Sequence, residues 1–179
     1  VVGNCGSSVS LNVAETKKKW DEQGIGTNAV FLIGFGSARR EVMGMEARDA
    51  TPEEIEKMRA IVRKAMEEGA WGISTGLEYL PGRHAGTEEI IEVTKVVGEY
   101  GGIYTSHQRN DFEGDIEATN ETIRIAEEAG VRGNYAHMKA CRKERWGTLK
   151  KAADLINEAR ERGLIITADM YPYDRAGGT

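Results

Sequence analysis

Several features of familiar protein classes are missing from this sequence. Its 179 residues include only two cysteines, Cys5 and Cys141, too few for a disulfide framework and in keeping with a reducing compartment. No apolar run approaches the roughly 20 residues of a membrane span. The first residues also lack the charged and apolar regions of a signal peptide. We therefore predict a cytoplasmic protein with no membrane partner.

Positive charge is not in excess either. Lys and Arg number 24 against 29 for Asp and Glu, so the formal net charge is −5. Nucleic acid finds no electrostatic foothold on such a chain, and the one basic run, Lys17 to Lys19, is short enough to be a solvated surface. We expect no nucleic-acid partner. The 40% of hydrophobic residues is ordinary for a globular protein, and the length suits one domain over 1–179.

From residue 51 onward the sequence repeats one pattern, in which an amphipathic helix is ended by a glycine and followed by a short apolar strand. Helices are predicted over 51–69, 87–100, 115–129 and 149–163. The strands that follow them are predicted over 71–75, 103–106, 131–136 and 164–168. The glycines at 102, 130 and 163 are about 30 residues apart, which is the size of one βα unit.

The first 50 residues are less regular. We predict a strand end near 1–4, a helix over 14–23, a strand over 29–33 and a loop over 34–36 that leads toward the active face. Counted with the four later strands, this gives six.

Alternating helices and strands imply a parallel sheet covered by helices, because each parallel connection needs a crossover. An eight-stranded barrel and a doubly wound open sheet both fit this pattern. No Gly-rich phosphate fingerprint follows any strand, which weighs against a dinucleotide-binding open sheet. Polar residues follow the strands at their carboxyl ends, where barrels build their catalytic sites. We therefore predict an α/β fold with about six of the eight βα units of a (β/α)8 TIM barrel.

Three residues at predicted strand ends have the chemistry of a metal site. His107 and His137 follow consecutive strands, so their imidazoles can reach one ion across strands spaced about 4.8 Å apart. Cys5, at the end of another predicted strand, offers a thiolate. Two histidines and a cysteine with an open fourth position are typical of catalytic zinc. A strand-end histidine is more often an ordinary hydrogen-bonded residue, so the spacing alone leaves both interpretations open.

Five segments carry a family resemblance when they are taken in order. They are Gly3-Asn4-Cys5-Gly6, Ser74-Thr75-Gly76-Leu77-Glu78-Tyr79 with Pro81-Gly82, Ser106-His107-Gln108-Arg109, His137-Met138-Lys139-Ala140 and Thr167-Ala168-Asp169-Met170-Tyr171-Pro172-Tyr173. Together they resemble the D-aminoacylase (N-acyl-D-amino-acid deacylase) branch of the amidohydrolase superfamily. The resemblance covers nearly the whole chain but only the central part of a family member. It implies that residues 1–179 form a partial barrel domain of the metal-dependent amidohydrolase type.

The resemblance implies a zinc ion held by Cys5, His107 and His137, and an activity that hydrolyses the amide bond of N-acyl-D-amino acids. In the family the general base is an aspartate at the end of the last barrel strand, which lies outside this sequence. No catalytic residue is therefore assigned, and the chain alone is expected to be inactive. Asp169 stands one strand too early to be that base and is expected to be structural.

Substrate binding is implied for three further residues. Lys139 and Tyr171 match positions that help hold the substrate carboxylate, a task that suits an ammonium and a phenol since both donate hydrogen bonds. Tyr173 is the alternative to Tyr171. Arg109 follows one of the metal histidines and is expected to orient the site or its substrate.

Two other functions remain open at this stage. A cyclic amide hydrolase would resemble dihydroorotase or hydantoinase, but those relatives usually bridge two metals with a carboxylated lysine where this chain has a cysteine. A non-catalytic barrel remnant would act as a binding scaffold. Six strands leave two unpaired edges, which favour self-association or pairing with a companion chain that completes the barrel.

Overall fold

One parallel sheet carries the fold in the computed structural model, which describes residues 1–110 and 114–173. Its strands lie side by side in chain order: β1 (Leu32–Gly34), β2 (Gly72–Gly76), β3 (Ile103–His107), β4 (Arg132–Tyr135) and β5 (Ile166–Ala168). All four neighbouring pairs are parallel. Because the pairs are in register, the strands end near one another at one edge of the sheet.

Helices accompany the strands, and all but the first helix pack against their neighbours in chain order. They are α1 (Val13–Gln23), α2 (Phe35–Met43), α3 (Pro52–Glu67), α4 (Thr87–Glu99), α5 (Asp115–Ala129) and α6 (Leu149–Glu161). Short 3-10 turns occupy Gly82–His84 and Lys143–Arg145. Helix α3 begins with a capping box, in which Thr51 and Glu54 bond to each other's backbone. Within the described residues, no helix is both long and apolar enough to be a membrane span.

The predicted fold class is confirmed, with two corrections at the amino-terminal end. The strand predicted near 1–4 is reduced to a single parallel bridge between Val2 and Phe31, so the sheet has five strands and not six. The loop predicted over 34–36 is wrong, because α2 begins at Phe35. Phe35, Ala38 and Met43 are buried at helical spacing, and this apolar face outweighs the two glycines that indicated a loop.

The core lies between the sheet and the helices. Three residues that pair with one another across adjacent strands are fully buried: Ile33, Ile73 and Tyr104. Apolar residues of α3 and α4 pack on them: Met58, Val62, Ile90, Val93 and Val97. A second cluster joins α5 and α6 to β4 and β5: Ile123, Ala126, Tyr135, Ile156 and Ile166. This packing holds the strand ends in place.

A buried ion pair fixes the segment that links α2 to α3. The guanidinium of Arg39 is completely buried and donates from Nε to Oε1 of Glu89 on α4, at 2.9 Å. The other carboxylate oxygen of Glu89 accepts from the Ala50 amide at 3.0 Å. The remaining donors of Arg39 reach the main-chain carbonyls of Glu46, Arg48 and Pro81. Both charges are thus satisfied by the backbone as well as by each other.

We predict that Arg39→Ala lowers the free energy of unfolding by about 3–5 kcal/mol, because it leaves the Glu89 carboxylate buried without its partner. The measurement is urea denaturation of the variant beside Arg63→Ala. Arg63 pairs with Glu99 at a similar 2.9 Å, but both side chains are more than a third exposed, so its loss should cost less than about 1 kcal/mol. Equal destabilisation in the two variants would contradict the central role of the buried pair.

Candidate metal site

Three side chains with metal-binding chemistry meet at the carboxyl edge of the sheet. The donor atoms of Cys5, His107 and His137 all lie within 4.8 Å of one another. Sγ of Cys5 is 3.9 Å from Nε2 of His137, and the two imidazole rings meet edge to face with centroids 4.5 Å apart. His107, the last residue of β3, is buried, whereas the other two are half-buried. Across residues 1–110 and 114–173, no second group of this kind comes together.

The donor set fits a zinc ion. With Zn–S and Zn–N bonds of about 2.3 and 2.0–2.1 Å, a tetrahedral ion needs donors about 3.3–3.6 Å apart. The observed separation of 3.9 Å between Cys5 and His137 requires only a small contraction. One thiolate and two imidazoles suit zinc by ligand type and leave the fourth position for a water or substrate.

Two of these three residues have an unusual backbone. Cys5 has a φ of 52° and His137 a φ of 44°, and they are the only non-glycine residues with positive φ in the described part of the chain. This left-handed region is unfavourable for residues with a Cβ and persists only where the surroundings impose it. Strained residues of this kind concentrate at functional sites. Residue type and spacing alone do not predict this backbone feature.

Cys5 reaches the histidines because its segment lies directly against the sheet. A Cβ added at Gly6 would lie 2.6 Å from the amide nitrogen of Gly76, and one added at Gly76 would lie 2.2 Å from the carbonyl oxygen of Cys5. Both positions therefore require glycine. The buried Ser74 holds the segment, since its Oγ accepts from the Gly6 amide at 3.0 Å and donates to the Gly3 carbonyl at 2.5 Å.

His137 is held from the neighbouring strand. The carboxylate of Asp169, just beyond β5, accepts from the His137 amide at 2.6 Å through Oδ1. Its other oxygen accepts from Nδ2 of Asn134 at 2.6 Å, and its main-chain carbonyl accepts from the Met138 amide at 2.8 Å. Asp169 therefore shapes the turn that carries His137, in line with the structural role expected for it.

Glu78 and Tyr79, for which no role was predicted, also line the site. Oε2 of Glu78 is 3.5 Å from Nε2 of His107, and the Tyr79 ring is 4.7 Å from the His107 ring. The Leu77 amide donates to the His107 carbonyl at 3.0 Å. The available signal was position, since Glu78 comes two residues after β2 at the same edge of the sheet.

The predicted substrate-binding residues have different surroundings. Nζ of the half-buried Lys139 lies 2.8 Å from Nδ1 of His137 and is therefore directly beside the candidate metal site. Tyr171 is half-buried three residues past the end of β5, whereas the alternative, Tyr173, is 73% exposed. The structure gives neither tyrosine a contact with the cluster, and their role stays a prediction.

Arg109 is engaged by protein groups on every nitrogen of its guanidinium. Nε and Nη2 donate to the Glu121 carboxylate of α5 at 3.0 and 2.9 Å. Nη1 and Nη2 also reach the carbonyls of Arg83 and Ala85, each at 3.0 Å. Arg109 thereby joins the end of β3 to the turn that follows β2. Of its two predicted tasks, this arrangement matches orientation of the site; contact with substrate stays a prediction.

The fold and the strand-end cluster together define part of a (β/α)8 barrel of the amidohydrolase type. Solved structures agree. A crystal structure of D-aminoacylase superposes with a TM-score of 0.90 at 33% identity and covers 96% of this chain, which spans 40% of that one. N-acyl-D-glutamate deacylase from Bordetella bronchiseptica, complexed with zinc and a phosphonate inhibitor, gives a TM-score of 0.91 at 29% identity, with 96% and 41% of the two chains covered.

Curated relatives narrow the likeness to one family. The chain is 40% identical over 146 residues to D-aminoacylase of Alcaligenes xylosoxydans xylosoxydans, and 33% identical over 147 residues to N-acyl-D-aspartate deacylase of the same organism. These matches cover 82% of this chain but only 30% and 29% of the relatives, so the chain spans under a third of their length. No protein-family model matches it. The predicted resemblance to part of an N-acyl-D-amino-acid deacylase is therefore confirmed.

The segment after His137 is anchored to α5 by one buried carboxylate. Asp115, the first residue of α5, forms an ion pair with Arg145 and accepts from Oγ1 of Thr148 at 2.7 Å. Burial raises the pKa of Asp115, but the hydrogen bonds from Thr148 and Arg145 outweigh it and place the pKa below its usual 3.8. The carboxylate thus fixes the far end of the segment that carries Lys139.

We predict that Asp115→Asn lowers the free energy of unfolding at pH 7 by about 1–3 kcal/mol, the cost of weakening a buried charged hydrogen-bond partner. A carboxyl whose pKa is depressed by folding stabilises the protein above the unfolded pKa and loses that contribution as the pH falls through the folded value. Urea denaturation should therefore show parent and variant converging below pH 3.8. In the control Asp154→Asn, which breaks an exposed pair with Lys150, the difference should be small at every pH. A constant gap for Asp115→Asn would refute this account.

Proposed function

We propose that this chain supplies the metal-binding and substrate-binding part of an enzyme that hydrolyses the amide bond of N-acyl-D-amino acids. The observation that carries the proposal is the cluster of one thiol and two imidazoles within 4.8 Å at the carboxyl edge of a barrel sheet. The similarity to deacylases of D-amino acids gives this cluster its chemical context.

Cys5, His107 and His137 are the residues that would hold zinc. A zinc ion bound there would polarise the amide carbonyl and provide a nucleophile at neutral pH. The chain itself orients the ligands. The rings of Tyr79 and His137 lie 4.7 and 4.5 Å from the ring of His107, centroid to centroid, and restrict its orientation. We assign no general base within the described residues, and such a group alone contributes about 10²–10⁴-fold to rate.

Substrate recognition falls to Lys139 and Tyr171 in this proposal. An N-acyl amino acid carries a carboxylate close to the amide that is cleaved, so a cation beside the metal site suits it. The ammonium of Lys139 lies within 2.8 Å of the His137 ring and is half-buried, which strengthens its attraction for an anion compared with a surface lysine. Tyr171 would add a phenolic donor.

The geometry favours this function over the alternatives. Cyclic amide hydrolases usually place a carboxylated lysine at the metal, whereas here the thiol of Cys5 comes within 3.9 Å of a histidine nitrogen. A pure scaffold has no use for a thiol and two imidazoles whose donors converge, and two of these residues occupy a costly backbone conformation.

We predict that the full-length protein binds about one zinc at this site, and that Cys5→Ala and His137→Ala each lose most of it, because each removes one of three ligands. Metal analysis of dialysed protein is the measurement. The chain offers matched controls in Cys141→Ala and His84→Ala, which remove a cysteine and a histidine outside the cluster and should keep their zinc. Full zinc content in both cluster variants would rule out the assigned ligands.

We predict that Lys139→Ala in the full-length enzyme raises KM for an N-acyl-D-amino acid more than it lowers kcat. A charge that holds the carboxylate without contacting the amide that reacts contributes equally to the ground and transition states. The loss of one charged hydrogen bond, about 1.5–3 kcal/mol, corresponds to roughly 10–150-fold in KM.

Steady-state kinetics provides the test of Lys139. Tyr171→Phe should shift KM in the same direction by less, and Lys143→Ala, an exposed lysine of the same segment, should leave it unchanged. A fall in kcat at constant KM would instead assign Lys139 to the chemical step.

A further inference from the structure

We propose that Ser74 and Asp169 are positioning residues that hold Cys5 and His137 in their left-handed backbone conformation before any metal ion binds. This inference rests on the proposed function, which makes Cys5 and His137 metal ligands. It assigns to two residues from different strands the task of arranging the site in advance. Neither residue offers a donor atom to the cluster itself.

Ser74 acts on Cys5 from both sides. Its hydroxyl donates to the carbonyl of Gly3 and accepts from the amide of Gly6, at 2.5 and 3.0 Å, so the two bonds bracket the Asn4-Cys5 dipeptide. The side chain is completely buried and has no access to water. Its bonds therefore have no solvent competitor, and together they fix the turn in which Cys5 has its φ of 52°.

Asp169 acts on His137 through the backbone. Oδ1 accepts from the His137 amide at 2.6 Å, which fixes the peptide plane that precedes the histidine and so its φ of 44°. Oδ2 is held by Nδ2 of Asn134 at 2.6 Å, and Asn134 itself accepts from Oγ1 of Thr167 at 2.7 Å. The bond from Asn134 thus fixes the orientation of the Asp169 carboxylate that accepts from the His137 amide.

Ser74 and Asp169 each hold one metal-ligand residue in the left-handed backbone region. A non-glycine residue leaves the left-handed region unless its surroundings prevent it. Without Ser74 or Asp169, a ligand would have to be brought back into place by the metal, at a cost to affinity. With both residues present, folding of the chain already places the two ligands in the conformation that binds the ion.

Two other residues provide matched controls. Thr75 follows Ser74 on β2 and is equally buried, but its hydroxyl bonds to Tyr104 and Ser106 at 2.9 and 3.1 Å and does not contact the Cys5 segment. Asp154 on α6 carries a solvent-accessible carboxylate as Asp169 does, but it bonds to Lys150 at 2.8 Å and lies outside the Asp169 network. Thr75→Val and Asp154→Ala therefore remove a buried hydroxyl and a carboxylate without releasing either ligand.

The experiment uses the full-length protein and zinc itself as the probe. Zinc affinity is measured by competition with a chromophoric chelator, and cobalt substitution reports the thiolate–metal charge-transfer band of Cys5. Ser74→Ala and Asp169→Ala are expected to bind zinc about 10–100-fold more weakly, the range found for partners that orient metal ligands. Asp169→Asn keeps an oxygen acceptor for the His137 amide and should recover much of the loss.

Stability is measured separately, as the unfolding midpoint in excess EDTA. A merely structural role would lower this midpoint in all of the variants and leave the zinc affinity of the folded protein unchanged. We expect an unchanged zinc affinity from the two control variants, Thr75→Val and Asp154→Ala, only. If Ser74→Ala does not fold, the comparison of Asp169→Ala with Asp169→Asn decides on its own.

Two failures can be told apart. A parent protein that binds neither zinc nor cobalt would contradict the proposed function and this assignment with it. A parent that binds both metals, with Ser74→Ala and Asp169→Ala at parental affinity, would overturn the positioning role alone.

Discussion

The parallel register of the sheet is the constraint on which the other features depend. It sets Gly76 opposite His107 at the carboxyl ends of β2 and β3, and it brings the end of β4 to the same edge. Only at this edge can a segment from the start of the chain meet two histidines at once. The glycine at position 76 leaves the space through which that segment passes. Helix packing and buried ion pairs then keep the edge from moving.

The repetitive part of the fold could be predicted from the sequence because two signals agreed. The helical spacing of apolar residues and the glycines that end the helices indicated the same boundaries. Four helices, each ended by a glycine and followed by apolar residues, reappear as α3 to α6 with their strands, and the boundaries differ by two residues or fewer. The start of the chain was harder to interpret. Helix α2 contains Gly36 and follows Gly34, and its apolar face becomes evident only when Phe35 is seen packed on the core.

Some residues of the candidate site could likewise be predicted from the sequence and others could not. Side-chain type and position after a strand were sufficient to select Cys5, His107 and His137, which the structure brings together. Residues that act by bonding to backbone atoms are not marked by residue type or by position after a strand. Ser74 appeared only within a motif, and neither its bonds to main-chain groups nor the positive φ of two ligands can be read from one-dimensional spacing.

The distance along the chain between the donors has a consequence for how the site is built. Cys5 lies 132 positions before His137, yet their donor atoms are 3.9 Å apart. During synthesis the thiol emerges first, and its partners exist only after β4 has paired with β3. Closing a loop of that length carries an entropic cost that local helices never meet. Binding of an ion by all three ligands therefore requires that the Cys5 segment, β3 and the end of β4 have already assembled.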